Sequence, residues 1–235
     1  MPLNEYMRKV LSIALIALTA LSAACVKSGQ LTTQSTGGIM FVNASVNQPD
    51  IDVYSYATEI FPNLTFPDST GYTQVGIGTT FNLTYVIAGN PEDTLVYGYA
   101  TLPTATDYSF FFIDSLAGKT QVVTLQDQMT TPPQDSAAIR FVNLSLTAPF
   151  VNFINSQTSR SLFSGVGFAS NLSTAQNFTS ISAGTYNFGV TTGSTPLAQM
   201  TGFNLAAGGL YTFFLAGSID STGKKALSIQ VIRNK

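Results

Sequence analysis

The groups in this chain that could do chemistry are acids, tyrosines and hydroxyls. Histidine is absent, and cysteine occurs once, at Cys25. The missing histidine removes the commonest general base and the commonest metal ligand. A single cysteine excludes an intrachain disulfide and the usual thiolate zinc site. Two acid pairs remain. Asp50 and Asp52 flank Ile51 at the entry to a predicted strand, where paired carboxylates would suit calcium. One hundred positions on, where the same stretch recurs, stand Phe150 and Asn152, so turn capping is the competing reading. Glu92 and Asp93 are adjacent in a predicted turn and point apart, unlike the facing carboxyls of a glycosidase. No nucleophile has a base beside it. The expectation is a non-enzyme with no catalytic residue, no metal and no cofactor.

Tyrosine is the stronger signal. Tyr54, Tyr56, Tyr72, Tyr85, Tyr97, Tyr99 and Tyr108 fall in the first half of the mature chain, against Tyr186 and Tyr211 in the second. Tyr97 and Tyr99 share one strand face at period two, as do Tyr54 and Tyr56. Exposed amphipathic rings could stack on sugars or form a partner-binding patch. Strand propensity alone also favours tyrosine there. Tyr54, Tyr56, Tyr97 and Tyr99 are the candidate ligand contacts.

Five aspartates open an Asp-Ser or Asp-Thr tripeptide, at Asp68, Asp93, Asp114, Asp135 and Asp220. These resemble the Asp-Ser/Thr-apolar acceptor of a periplasmic O-glycosylation system of some Gram-negative bacteria. The resemblance implies modification at Ser69, Thr94, Ser115, Ser136 and Ser221. Asx-turn chemistry selects the same dipeptides. Asn-x-Ser/Thr sequons at Asn43, Asn63, Asn82, Asn143, Asn171 and Asn177 read as strand and turn composition.

The elements that must hold these residues are written twice. Ile39, Phe41, Val42, Asn43, Ser45 and Pro49 meet Ile139, Phe141, Val142, Asn143, Ser145 and Pro149 with no gap. Each copy continues with short β-branched and aromatic runs separated by turn residues. Phe81–Ile87, Thr94–Thr101, Tyr108–Ile113 and Thr120–Leu125 read as strands of the first copy. Tyr108–Ile113 is the most apolar of them and should lie centrally. Asn47–Asp50 and Gly89–Asp93 read as turns, and Phe61-Pro62-Asn63 and Phe66-Pro67-Asp68 as breaks. Leu210–Leu215 and Leu227–Ile232 are the matching late strands of the second copy. No segment carries a capped helical period. The expected fold is all-β, two tandem immunoglobulin-like β-sandwich domains, covering 38–128 and 137–235. A Pro-rich linker, 129–136, separates them, because Pro132 and Pro133 cannot donate to a sheet.

Charged residues make up 9 % of the chain and hydrophobic residues 45 %. That balance excludes a disordered polar chain and a nucleic-acid binder, which needs a basic face. Residues 1–24 read as an export signal: Arg8 and Lys9, the apolar run Val10–Leu21, then small residues before Cys25. The apolar run is shorter than a membrane-spanning helix. The segment resembles a bacterial lipoprotein signal, which implies lipid attachment at Cys25. Ser22 stands where that family carries Leu, Val or Ile, with Leu21 one step back. Residues 25–37 are polar and Gly/Ser/Thr-rich, and read as a flexible tether. The expected place is the bacterial cell envelope, lipid-anchored at the outer membrane, on its periplasmic or cell-surface face.

Three further motifs carry a second resemblance: Arg140–Ser145 with Pro149–Phe153, Ala183–Tyr186, and Tyr211–Gly217. Phe41–Ser45 with Pro49–Val53 repeats the first of them. Together they resemble domain-of-unknown-function family 4397. That resemblance implies secreted or lipid-anchored proteins with immunoglobulin-like domains and implies no activity. The functional expectation is a non-catalytic binding or adhesion module for a protein or glycan partner, held on a membrane by its lipid. The alternatives are a structural scaffold lipoprotein of the envelope and, less supported, a glycan-active enzyme.

Overall fold

The computed structural model describes residues 35–235, except 79, 117, 149 and 171–174. The signal, Cys25, the tether up to residue 34 and Asn171 lie outside the described residues. No α-helix occurs among the described residues. The first half has eight strands: β1 Thr36–Asn43, β2 Ile51–Ser55, β3 Thr58–Leu64, β4 Thr73–Gly76, β5 Thr80–Ile87, β6 Asn90–Thr101, β7 Asp107–Asp114 and β8 Thr120–Asp127. The second half repeats them: β9 Ser136–Asn143, β10 Phe150–Asn155, β11 Arg160–Gly167, β12 Thr179–Ser182, β13 Gly184–Thr192, β14 Thr195–Leu205, β15 Leu210–Ala216 and β16 Ser228–Arg233. Each half is a sandwich of two four-stranded sheets. The orders are β4-β1-β7-β8 over β3-β2-β5-β6, then β12-β9-β15-β16 over β11-β10-β13-β14. The protein is an all-β tandem sandwich.

Most neighbours are antiparallel, but β1 pairs in parallel with β7, and β9 with β15. These four strands are buried along nearly their whole length. A strand buried on both faces needs apolar residues at every position rather than at alternate ones. That is why Phe110–Ile113 and Phe213–Ala216 are continuous apolar runs. One face of β1 and β7 packs into the first sandwich through Phe41, Phe110 and Phe112. The other face packs against the second half through Met40, Val42 and Phe111. Val142, Leu144 and Phe214 complete that middle core. The two halves therefore pack on each other, within one compact unit, Gln34–Lys235. Phe111 and Phe214 occupy equivalent places in the two halves, and their rings meet at 5.8 Å. A residue that touches its own counterpart marks a two-fold relation between the inner sheets.

A closed polar ring lies at this inner contact. The Arg140 guanidinium is ion-paired with Asp127, and both side chains are buried. Arg140 Nε also donates to Thr212 Oγ1 at 2.7 Å, and Thr212 donates to Asn234 Oδ1 at 2.6 Å. Asn234 Nδ2 donates to Tyr72 Oη at 2.7 Å, and Tyr72 returns to Asp127 Oδ2 at 2.6 Å. Ser109 donates to the same carboxylate oxygen at 2.6 Å. The face of Phe178 covers the guanidinium at 4.6 Å. Ser109–Asp127 and Thr212–Asn234 are equivalent pairs in the two halves by strand register. Every member is satisfied, which is the condition for a buried polar network to be tolerated.

The repeated Asn-x-Ser has a structural cause. Asn43 Nδ2 donates to the Leu64 carbonyl, and Asn43 Oδ1 accepts from Ser45 N. Asn143 does the same, donating to the carbonyls of Ala148 and Val166 and accepting from Ser145 N. Each buried amide ties the end of the first strand to the facing sheet of its own sandwich.

Three expectations are corrected. Phe61-Pro62-Asn63 does not break the sheet: β3 runs through it, because β3 is an end strand and the missing Pro62 N–H costs no ladder bond. Residues 90–93 are strand rather than turn, since the two-residue hairpin at Ala88-Gly89 suffices. Thr36 and Gly37 belong to β1, not to a tether. Gly37 serves close approach: a Cβ on it would lie 2.4 Å from the Thr106 carbonyl oxygen.

Candidate functional site

The outer sheet of the first half places tyrosines on its solvent face. Tyr54 on β2 stands opposite Thr84 on β5, and Thr84 stands opposite Tyr97 on β6. One row on, Asn82 stands opposite Tyr99. Tyr56 follows β2 in a two-residue turn and has φ +53°. Bulky residues rarely adopt that left-handed region, and its cost, about 1–3 kcal/mol, is met where surrounding contacts hold it. Here the Tyr56 hydroxyl donates to the Thr80 carbonyl at 3.3 Å, and its backbone N–H to the Asn82 carbonyl. The sheet thus brings Tyr54, Tyr56, Tyr97 and Tyr99 to one face. Tyr56, Tyr97 and Tyr99 are 66 %, 55 % and 68 % exposed, so their rings are available to a partner.

The hydroxyls are linked. Tyr97 donates to the Tyr99 hydroxyl at 2.7 Å, and Asn82 Nδ2 donates to Tyr97 at 3.0 Å. The two rings meet edge to face, 5.6 Å apart at 78°. Tyr54 donates to Glu59 Oε2 at 2.9 Å. The hydrogen bond to Tyr99 pushes the Tyr97 phenol up, and the hydrogen bond to Glu59 does the same for Tyr54. Both rings therefore stay neutral at physiological pH. The face offers aromatic surface, neutral hydroxyls, one amide and one carboxylate, and no nucleophile paired with a base.

The second half lacks such a face. By register, Ile154, Gly189 and Gln199 stand where Tyr54, Thr84 and Tyr97 stand in the first. Of the row, the asparagine persists: Asn187 corresponds to Asn82.

The other candidates are scattered. Both Asp52 carboxylate oxygens are taken by backbone amides, Asn63 N at 2.6 Å and Gly89 N at 2.8 Å, which fixes the ends of β3 and β5. Glu92 and Asp93 are exposed on β6, and Asp93 accepts from Asn90 Nδ2. Of the tripeptide hydroxyls, Thr94 is exposed on β6, whereas Ser69, Ser115, Ser136 and Ser221 are half-buried in separate turns and strand ends. Asp68 accepts from Ser69 N at 2.7 Å. Asp114 is buried and accepts from Ser45 Oγ and Val46 N. The structure does not bring these five together.

Two stacked sandwiches of this topology define a tandem β-domain protein. The family described as a domain of unknown function (DUF4397) matches over residues 37–154, half of the chain, and the chain belongs to it. The matched span takes in β1 to β8 and continues through most of β10. No curated protein matches the chain in sequence. Among solved structures, it is similar to CBMbc (family CBM26) from Eubacterium rectale Amy13K, crystallised in complex with maltoheptaose. That likeness is 10 % identical, covers 85 % of this chain and 97 % of that one, and has a TM-score of 0.25.

Proposed function

We propose that the first half is a non-catalytic binding module whose ligand face is Tyr54, Tyr56, Tyr97 and Tyr99, and that the ligand is a neutral glycan. The observation that carries this is the single exposed face itself. Four rings that could have been scattered over a sandwich converge on one side of one sheet. They carry hydrogen-bonded hydroxyls, with Asn82 and Thr84 between them. Sugar rings stack on aromatic faces and satisfy their hydroxyls with neutral donors and acceptors. The one carboxylate, Glu59, already accepts from Tyr54.

The test is glycan-array binding by the full-length protein in detergent, compared with Tyr97→Ala and Tyr99→Ala. Binding that falls at least tenfold in both variants supports the reading. Array binding unchanged in both removes it. A stoichiometric envelope protein in a native-membrane pull-down, with no glycan signal, would favour a scaffold role instead. The same reading places the module outside the inner membrane, held by lipid on Cys25. The supporting feature is that the chain's one cysteine follows the small residues of an export-type segment. Mass spectrometry of the native protein reads the acyl mass, and any hexose-sized increment on Ser69, Thr94, Ser115, Ser136 or Ser221.

A further inference from the structure

A cleft of about 320 Å³ opens between the edges of β6 and β8 in the first sandwich. Leu83, Val96, Gly98, Ala100, Phe110 and Val122 line it, and Tyr85 closes it from within. Tyr85 is 2 % exposed, and its hydroxyl has no partner among the described residues. Its ring is fixed by stacking on Phe112 at 5.5 Å. A buried hydroxyl left without a partner is uncommon and asks for an explanation.

The second sandwich shows what the fold does with the same space. By register, Phe188, Met200 and Phe203 stand where Leu83, Gly98 and Ala100 stand in the first. Val190 replaces Tyr85, and Val231 replaces Thr124. Phe203 packs on Phe213 at 5.4 Å. The second half thus closes its opening with its own methionine and phenylalanine. The first half has given up those side chains, and Tyr85 beside the cleft carries a buried hydroxyl with no partner among the described residues. Gly98 is not there for its backbone: it has no left-handed φ, and a Cβ on it would meet nothing within 4 Å.

The cleft lies between two sheet edges, and at one end Thr120 Oγ1 of β8 donates to the Leu95 carbonyl of β6 at 3.2 Å. β6 and β8 each end a sheet. From Val96 to Thr101, β6 pairs with β5 in unbroken register and carries no charge and no proline. β14, its counterpart, is interrupted by a bulge between Met200 and Phe203 that holds Gly202 at φ +68°. Bulges, charges and prolines are what keep an edge strand from accepting another. The β6 edge has none of them alongside the cleft.

We propose that an extended, uncharged peptide segment of a partner protein adds to β6 as a fifth strand and drops one tyrosine side chain into the cleft. The phenyl body fills the space that Met200 and Phe203 fill in the second half. The phenol oxygen accepts from the Tyr85 hydroxyl. Main-chain bonds to the β6 edge would give affinity and the anchor would give specificity, the division of labour in strand addition. Tyr97 and Tyr99 of the outer face also border the cleft; the peptide would contact β6 along its edge and inward side, and its binding is read with no glycan present.

The probe is a synthetic heptapeptide, acetyl-Thr-Val-Thr-Tyr-Thr-Val-Thr-amide, titrated into the full-length protein in detergent. Affinity is read by calorimetry and edge pairing by backbone hydrogen exchange over residues 90–101. Saturable binding with slowed exchange on β6 is expected. It should weaken at least tenfold in Gly98→Met, and several-fold in Tyr85→Phe. Ala100→Leu takes the place of Gly98→Met should that variant fail to fold. No slowed exchange, or equal affinity in the filled variant, would overturn the proposal. So would free p-cresol binding as tightly as the peptide, which would make the cleft a small-molecule pocket. Concentration-dependent protection of β6 without peptide would equally overturn it, by assigning the edge to a second copy.

Discussion

Arg140 of the second half and Asp127 of the first form a buried ion pair across the contact between the halves, at places where two-fold equivalence would put Met40 and Asn234. The pair breaks the symmetry of the interface. Its partners do not: Ser109 and Thr212 bond to Asp127 and Asn234 in the same way.

Breaking the pair from one side strands a charge in the core, which costs about 3–5 kcal/mol. Asp127→Asn and Arg140→Met should each lose about that much in urea denaturation of the full-length protein. The double variant installs the residues found at the equivalent places. It should return to within about 1–2 kcal/mol of the parent, because replacing a whole buried pair is often neutral. Additive losses in the double variant would show that the two residues act independently.

Asn143 donates to two carbonyls. Asn143→Ala leaves those oxygens without a donor and should cost about 2–3 kcal/mol. Asn143→Asp is isosteric but turns a carboxylate towards the same carbonyls, so it should cost more than the alanine. Thermal unfolding of the two variants side by side gives the order.

Glycine positions should split by conformation. Gly98→Ala meets open space with no left-handed φ, and should stabilise by about 0.4–1 kcal/mol through the unfolded chain. Gly202→Ala must hold φ +68° and should destabilise by about 1–2 kcal/mol. Chemical denaturation midpoints at constant slope check both.

The linked phenols give a pH prediction. Tyr97 is held above its ordinary value of 10.0 chiefly by its hydrogen bond to Tyr99. A contribution of the neutral Tyr97 phenol to glycan binding at this face should therefore be flat from about pH 6 to 9 and be lost only as that phenol ionises above its usual range. In Tyr99→Phe the ultraviolet titration of Tyr97 should move down towards 10.0. A titration that does not move would mean the hydroxyl pair is not formed in solution.

Much of this architecture is legible in the residues. The stretch at 39–53 and its return at 139–153 announce two copies, and the run Tyr108–Ile113, apolar but for Ser109, announces a strand with no solvent face. Period two places Tyr97 and Tyr99 together, but it does not place Tyr54 and Tyr56 beside them. That needs the β2–β5–β6 register and a left-handed φ at Tyr56, neither of which has a local signature in this chain. Pro62 misleads because a proline reports a missing donor and not which side of a strand is free. The inner contact is hidden for a different reason: no local pattern pairs Arg140 with Asp127, thirteen residues back, and only the fold buries the two together. The cleft was open to discovery by aligning the copies, since Gly98 against Met200 and Ala100 against Phe203 are large losses of volume on one strand.

The parallel alignment of β1 with β7 sets how the protein would carry mechanical load. A pull on the chain ahead of Thr36 runs along β1, whose residues Ile39–Asn43 are held side by side with Tyr108–Phe112. Such a pull loads those bonds in shear, so they must fail together and not one by one as in an unzipping hairpin. A ligand caught on the outer sheet would thus tug on one of the two deeply buried strands of the first half. In single-molecule extension, the first half should yield in one high-force step rather than by gradual peeling.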